Sequence, residues 1–534
     1  MRLHRRKLLK AAGAGLGMGM AGGVLGFHDR LGQGLSVQPA PGELSGMELL
    51  GYCNMNFGDV AKLRGWDQVY EFQVINGFAY CSHGGNGNRG LPQGTPGTGG
   101  FSIVDVRNPR NMKVIFRRVN PSPAIGGPND NSQYLDIKDH IMVLKRNRSL
   151  EMWDVRNPFS PVLLSSFTPP GILVGSSGDP NDPHGHGSFG YHGMWVHLDG
   201  RGGRFAFASV RLEGYTDQIM IVVDITNPAA PYEISRWWYP GMWHDGGEMR
   251  TWASDDGSPG QTGTPVQCHD ITTYGDRAYV AWRDKGVQIL DISDMRKLKR
   301  VGEINWGDVS RPIAIPADPA MGFPGKPAEP FHPIPSQVHS IGVVVPKKGR
   351  RVETVICGDE VGRCPGGYMH IIDVRNEKRP QEISSFMTPY SRGGNCLMGP
   401  TGYDRNVSRI AMHDIDRMIR GKIAWASWEE GGFWGVDLSD IHYPKAAAWY
   451  VPPARSDAGR AGSSHGDDMT TGSFGSDSGL VFGSGSDTGA GGIWAFRYNP
   501  GYSATVRWNS DESNVIVTES KGKGKKHDDD DDDD

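Results

Sequence analysis

Residues 268–294 read CHDITTYGDRAYVAWRDKGVQILDISD, and LKRVGEINW follows at 298–306. The segment divides into four short strands: HDITTY, AYVAW, VQILDI and RVGEI. Gly275-Asp276, a charged turn near Arg283-Asp284, and Ser293-Asp294 separate them. β-Branched and aromatic runs of this length, punctuated by Gly, Asn and Asp, are hairpin signals. The third strand is the most recognisable piece, because its apolar run ends in Asp and a second Asn or Asp follows three residues later.

That piece recurs along the chain. FSIVDVRNP ends at Pro109, LEMWDVRNP at Pro158, MIVVDITNP at Pro228, MHIIDVRN at Asn376 and FWGVDLSD at Asp440; GIWAFRYNP, ending at Pro500, is a degraded copy with Phe496 in place of the Asp. A strand-and-turn unit repeated at this spacing predicts a repeat architecture. Four antiparallel strands per unit, seven times, predict an all-β fold, a seven-bladed β-propeller over residues 45–510. No amphipathic helical segments separate the strands, so a parallel α/β reading fails. The unit resembles the LVIVD-repeat family, whose name describes strands such as VQILDIS; the resemblance covers roughly Met47 to Trp508. It implies the propeller fold and says little about function, since propellers carry many unrelated chemistries. Met47–Tyr52 has the pattern of an outermost strand with no earlier strands before it, so it is expected to pair beside Ile493–Tyr498 and close the ring.

Composition narrows the function classes. The net charge is −4, and seven of the acids are the terminal Asp528–Asp534, without which the balance is +3. Neither nucleic-acid nor membrane attraction is indicated. Arg5-Arg6-Lys7 before a Gly-rich, moderately apolar stretch reads as a twin-arginine-type export signal over residues 1–30, hence a periplasmic or secreted protein. No membrane span is expected beyond that segment. The Lys/Asp-rich tail, 511–534, is expected to be disordered. Among the six cysteines, Cys53, Cys81 and Cys268 read as buried strand thiols, and one bridge among Cys357, Cys364 and Cys396 is expected.

Overlaying the repeats locates candidate chemistry. The innermost strands of the last five units begin Tyr191-His192, Cys268-His269, Val338-His339, Met412-His413 and Ser464-His465; the first two have Tyr70 and Ser132 there. Five imidazoles at one level of a central channel could hold a metal, with copper favoured over iron or zinc. Such a His could equally serve only to bond a neighbouring blade's backbone. The connections between units are long, and they end where the innermost strands begin, so binding or catalysis is expected on that face. His184 and His186 stand in one such loop. Trp237, Trp238, Tyr239 and Trp243 form an aromatic stretch in another, with His244 and Glu248. Glu429, Asp359 and Glu248 are the candidate proton-transfer groups. No nucleophile elbow, HExxH helix or phosphate loop is present. Two readings follow: a metal-dependent oxidoreductase acting on a small-molecule substrate, or a non-enzymatic binding propeller with a structural His ring.

Overall fold

The repeated Asp and Asn residues act as turn caps. The carboxylates of Asp105, Asp154, Asp224, Asp291, Asp373 and Asp437 each accept the backbone N–H two residues on, at 2.8–3.1 Å. The side chains of Asn108, Asn157, Asn227, Asp294 and Asp440 repeat the same bond one turn later. These bonds replace ladder hydrogen bonds at the point where the chain reverses, which is why short Asx side chains recur there. Where Phe496 stands instead, no such cap exists, and the strand runs on unbroken as Gly492–Trp508.

In the computed structural model, the residues described are 39–40, 42–55, 69–83, 99–120, 132–173, 190–249, 266–306, 337–360, 367–389, 411–428, 431–453, 469–474, 479–485, 492–510 and 514–520. All regular elements among them are strands. Four are simple antiparallel four-stranded sheets. The first holds Phe72–Ile75, Phe78–His83, Gly100–Asp105 and Lys113–Val119; the second Leu135–Lys138, Ile141–Lys145, Leu150–Asp154 and Val162–Phe167. The third holds Tyr191–Leu198, Arg204–Val210, Ile219–Asp224 and Tyr232–Trp237; the fourth Asp270–Tyr274, Arg277–Ala281, Val287–Asp291 and Lys299–Ile304. The fifth has Val338–Val344, Thr354–Asp359, Met369–Asp373 and Gln381–Phe386, with Met418–Ile419 added in parallel. A nine-stranded sheet takes the rest, from Met412–Ile415 through Lys445–Tyr450 to Glu43–Cys53, Gly492–Trp508, Leu480–Gly485 and Met469–Phe474, with Val515–Glu519 against Gly492–Trp508.

The first strand of each sheet packs on the first strand of the next, and Met469–Phe474 returns to Phe72–Ile75. The middle strands are apolar on both faces because each sheet is sandwiched between its neighbours; Val287, Ile289 and Leu290 are fully buried. Outermost strands such as Lys299–Ile304 are half-exposed and read as polar. A bulge recurs between the third and fourth strands, as at Ile289/Leu290 and Ile371/Ile372. A small residue sits beside it to meet the next sheet's turn. Ser165 Oγ donates to Pro228 O and Ser235 Oγ to Met295 O, both at 2.6 Å, and Ser384 Oγ bonds Ile441 O. Gly302 fills the same place, where a Cβ would stand 1.7 Å from Glu377 O.

Met47–Cys53 pairs antiparallel with Ile493–Tyr498, as expected from its pattern, and carries its own bulge between Leu49 and Gly51. Gly51 meets Pro109 O as Gly302 meets Glu377 O, so the N-terminal strand serves as the outermost strand of the last unit. Leu44 and Ser45 also pair with Tyr450 and Trp449, which fuses two units into the nine-stranded sheet. The expected tail boundary at 511 is corrected: Val515–Glu519 is a strand whose alternating Val515, Val517 and Glu519 pair with Trp508, Val506 and Ala504. Cys53, Cys81, Cys268 and Cys357 are all buried free thiols. Cys357 is therefore not part of the expected bridge, while Cys364 and Cys396 lie outside the described residues, as do the export signal and residues 521–534. No helix among the described residues is long and apolar enough to cross a membrane.

Candidate metal centre

Four of the five expected histidines come together. His192, His269, His339 and His413 form a continuous stack at the starts of successive first strands, with neighbouring ring centroids 4.2, 3.8 and 4.2 Å apart. Tyr134 continues it on the His192 side at 5.4 Å. His465 lies outside the described residues, as do His184, His186 and Glu429. Ladder register puts Tyr134 opposite Lys145 where the fourth sheet has Asp270 opposite Ala281, so Gln133, not Ser132, occupies the His level of the second sheet.

The stack is held by its Nδ1 atoms. His269 Nδ1 lies 2.9 Å from His339 O, and His339 Nδ1 lies 2.7 Å from His413 O. A carbonyl can only accept, so both rings carry their proton on Nδ1 and present Nε2 as a lone pair. Burial strips the charged form of its hydration; it lowers His192 and His269 well below the ordinary histidine range and His339 to about 3, so these rings are neutral at pH 7. His269 Nε2 is fully buried and has no hydrogen-bond partner among the described residues. Two ligand sets result. His269, His339 and Glu360 each offer an atom within 4.8 Å of the other two, and so do His339, His413 and Asp414. Within the first set, His339 Nε2 and Glu360 Oε2 are 3.4 Å apart, inside the roughly 3–4 Å expected around a shared ion.

The charged surroundings are built from second-strand ends. Glu360 Oε2 lies 3.4 Å from His339 Nε2 and accepts a 2.6 Å bond from Arg283 Nη1. Lys145, fully buried at the corresponding end of the second sheet, is brought down to about 7 by desolvation. Asp359 turns into its own sheet: its Oδ2 lies 2.7 Å from His370 Nε2, and Glu382 Oε1 lies 2.9 Å from His370 Nδ1. Burial alone would neutralise His370, but the two carboxylates raise it to about 10. Trp306 and Tyr368 pack against its ring, each with centroid 4.4 Å away. Glu248 is taken up by the aromatic loop: it accepts from Trp238 Nε1 at 3.1 Å and from the N–H groups of Gly241 and Trp243 at 2.7 and 3.3 Å. Neither carboxylate is among the potential ligand sets.

One further layer lies below the stack, at the residue after each His. Glu71, Tyr134, Asp270 and Asp414 surround the buried guanidinium of Arg417, which reaches in from the hairpin after Asp414. Arg417 Nη2 lies 3.0 Å from Glu71 and 3.1 Å from Asp270, Nη1 donates to Met194 O at 2.9 Å, and the group sits over Tyr134 and Trp195. One side chain thus ties first strands from four sheets together. Its sequence sign was a first hairpin, Met412 to Ile423, longer than the two-residue turns of the first, second and fourth sheets.

Comparison with a family model agrees with the repeat. The LVIVD repeat model matches residues 215–237 and 267–305, which contain the third and fourth sheets' capped turns. Among solved structures, the chain is similar to the Pan2 WD40 domain of Neurospora crassa, at 8% identity, covering 86% of this chain and 99% of that one, with a TM-score of 0.44. It is likewise similar to Saccharomyces cerevisiae Sqt1, at 9% identity over 85% and 96% of the two chains, TM-score 0.40. No curated protein matches the chain.

Proposed function

We propose that this LVIVD-repeat β-propeller closes with seven blades and binds a metal ion on its His stack, copper before iron or zinc, as an exported oxidoreductase for a small substrate. The blade count is supported by the unbroken circle of first-strand contacts and by the division of the nine-stranded sheet into two four-strand halves joined at Glu43–Cys53. Export is supported by Arg5-Arg6 ahead of the Gly-rich apolar stretch.

One observation carries the metal reading. A structural ring needs only the Nδ1 bonds to the next sheet's carbonyls; it does not need a second, buried nitrogen without a partner. Leaving a buried polar atom unsatisfied costs about 1–3 kcal/mol, and His269 Nε2 is such an atom. Imidazoles fixed through Nδ1 and presenting Nε2, beside a carboxylate, are the usual second-sphere arrangement of His ligands. His269, His339 and Glu360 would hold the ion, or His339, His413 and Asp414; His192 and His465 extend the same level. The donor set of imidazole and carboxylate suits copper, zinc or iron. A bound copper would supply one-electron chemistry, while Glu360 beside His339 Nε2 and Asp414 beside His413 Nδ1 are placed to hold a proton in whichever set the ion does not occupy. Asp359, Glu248 and Glu429 remain proposed proton-transfer groups, with Asp359 working through His370. Elemental analysis of protein recovered from its own export route tests the proposal. Near-stoichiometric copper, lost in a His269→Ala/His339→Ala variant that keeps its β-sheet circular dichroism, is the expected result. Metal-free protein that gains none on incubation with Cu²⁺ would leave the ring structural.

A further inference from the structure

Arg283 is held in a conformation that its residue type disfavours. Its φ is +27°, in the left-handed region that glycine tolerates and other residues rarely enter. The strain fixes the end of the second strand of the fourth sheet, where Arg283 bridges to Val338, the residue before His339. Glycine would make this turn without strain, so packing of the turn does not account for arginine. The guanidinium is directed at the His stack: Nη1 lies 2.6 Å from Glu360 Oε2, the same oxygen that lies 3.4 Å from His339 Nε2. Arg283 Nε is buried and unpartnered among the described residues. Its charge opposes protonation of both His269 and His192.

We propose that Arg283 is the resident counter-cation of the site, competing with a metal ion for Glu360 Oε2 and thereby setting how tightly the His269–His339–Glu360 set binds metal. This rests on the metal reading above. A carboxylate oxygen that accepts a 2.6 Å charge-assisted bond has part of its charge already engaged and is a weaker ligand for an ion. A guanidinium left beside a dication also repels it. The residue therefore limits affinity and favours ions that bind imidazole strongly enough to displace it.

The test is Cu²⁺ titration, by calorimetry and by electron paramagnetic resonance, of the full chain and of Arg283→Gly, Arg283→Lys and Glu360→Gln. Glycine suits the backbone at φ +27° and removes the charge, so Arg283→Gly should fold at least as well as the parent. It is expected to bind Cu²⁺ at least about tenfold more tightly, while Arg283→Lys stays near the parent. Glu360→Gln should weaken binding and abolish the gain when combined with Arg283→Gly. Equal or weaker binding by folded Arg283→Gly overturns the proposal. If neither the parent nor Arg283→Gly holds Cu²⁺, both the metal reading and this inference fail; if both hold it equally, this inference alone fails. Binding by Arg283→Gly where the parent has none supports the competition directly.

Discussion

Replacing Arg417 by Met removes the only guanidinium described between Glu71, Asp270 and Asp414 while leaving most of its packing volume filled. At 3.0 and 3.1 Å, each ion pair is worth about 5 kcal/mol of Coulomb attraction at an effective dielectric near 20, before desolvation is subtracted. Arg417 and Asp270 are nearly inaccessible, so solvent screening is weak. Losing one partner of a buried pair costs about 3–5 kcal/mol, because the remaining charges stay behind. The cost depends on pH in a defined direction. Burial raises Asp270 to about 6 and Glu71 well above the carboxylate range even with Arg417 in place. An acid whose folded value is raised binds more protons folded than unfolded, so stability falls as pH rises from about 4 through that value. Without Arg417 both values climb further and the decline extends to higher pH. Guanidinium unfolding at pH 5 and pH 8 should therefore show a loss for Arg417→Met of about 3–5 kcal/mol at pH 8 and a clearly smaller one at pH 5. A variant within about 1 kcal/mol of the parent at pH 8, or equally destabilised at both pH values, would refute the electrostatic account.

His370→Gln should cost about 3 kcal/mol at pH 7 by stranding buried Asp359. With the folded value raised to about 10, the parent's stability contribution from this group is full below about 6.5 and declines as pH rises to 10; urea midpoints across that range should flatten in the variant. Gly193→Ala places a Cβ 2.0 Å from His269 O, so it should displace His269 and lower Cu²⁺ affinity at least about tenfold while circular dichroism stays native; unchanged affinity would separate His269 from the site. Asp291→Ala removes the cap on Ser293 N and should lower stability by about 1 kcal/mol in chemical denaturation, with Asp291→Asn recovering most of it.

How much of this was legible in the chain follows from which interactions are local. The turn caps are local: Asp291 meets Ser293, and Asp294 meets Arg296, within the same short turn. The repeat could therefore be read directly, and with it the strand order and the closing role of Met47–Tyr52. The His level was legible for the same reason, since each described His stands at the start of a first strand at a fixed register. What the repeat could not reveal is what crosses between units. Arg417 and Glu71 are 346 positions apart, and only closure of the ring brings them together. Asp359 carried the right residue type for proton transfer, yet its strand register directs it at His370 inside the sheet, while the next residue, Glu360, faces the stack. A one-residue shift along a strand reverses the face a side chain occupies. The same alternation accounts for the division of labour at the channel: each His takes the mouth level with its lone pair inward, and the residue after it supplies the layer beneath. Asp270 and Glu71 pair there with Arg417, while Asp414 lies 3.1 Å from His413 Nδ1. The His level adds His269 Nε2, unpartnered among the described residues, and two sets of imidazole and carboxylate donors within 4.8 Å of one another, which is why it is the place to look for a bound ion.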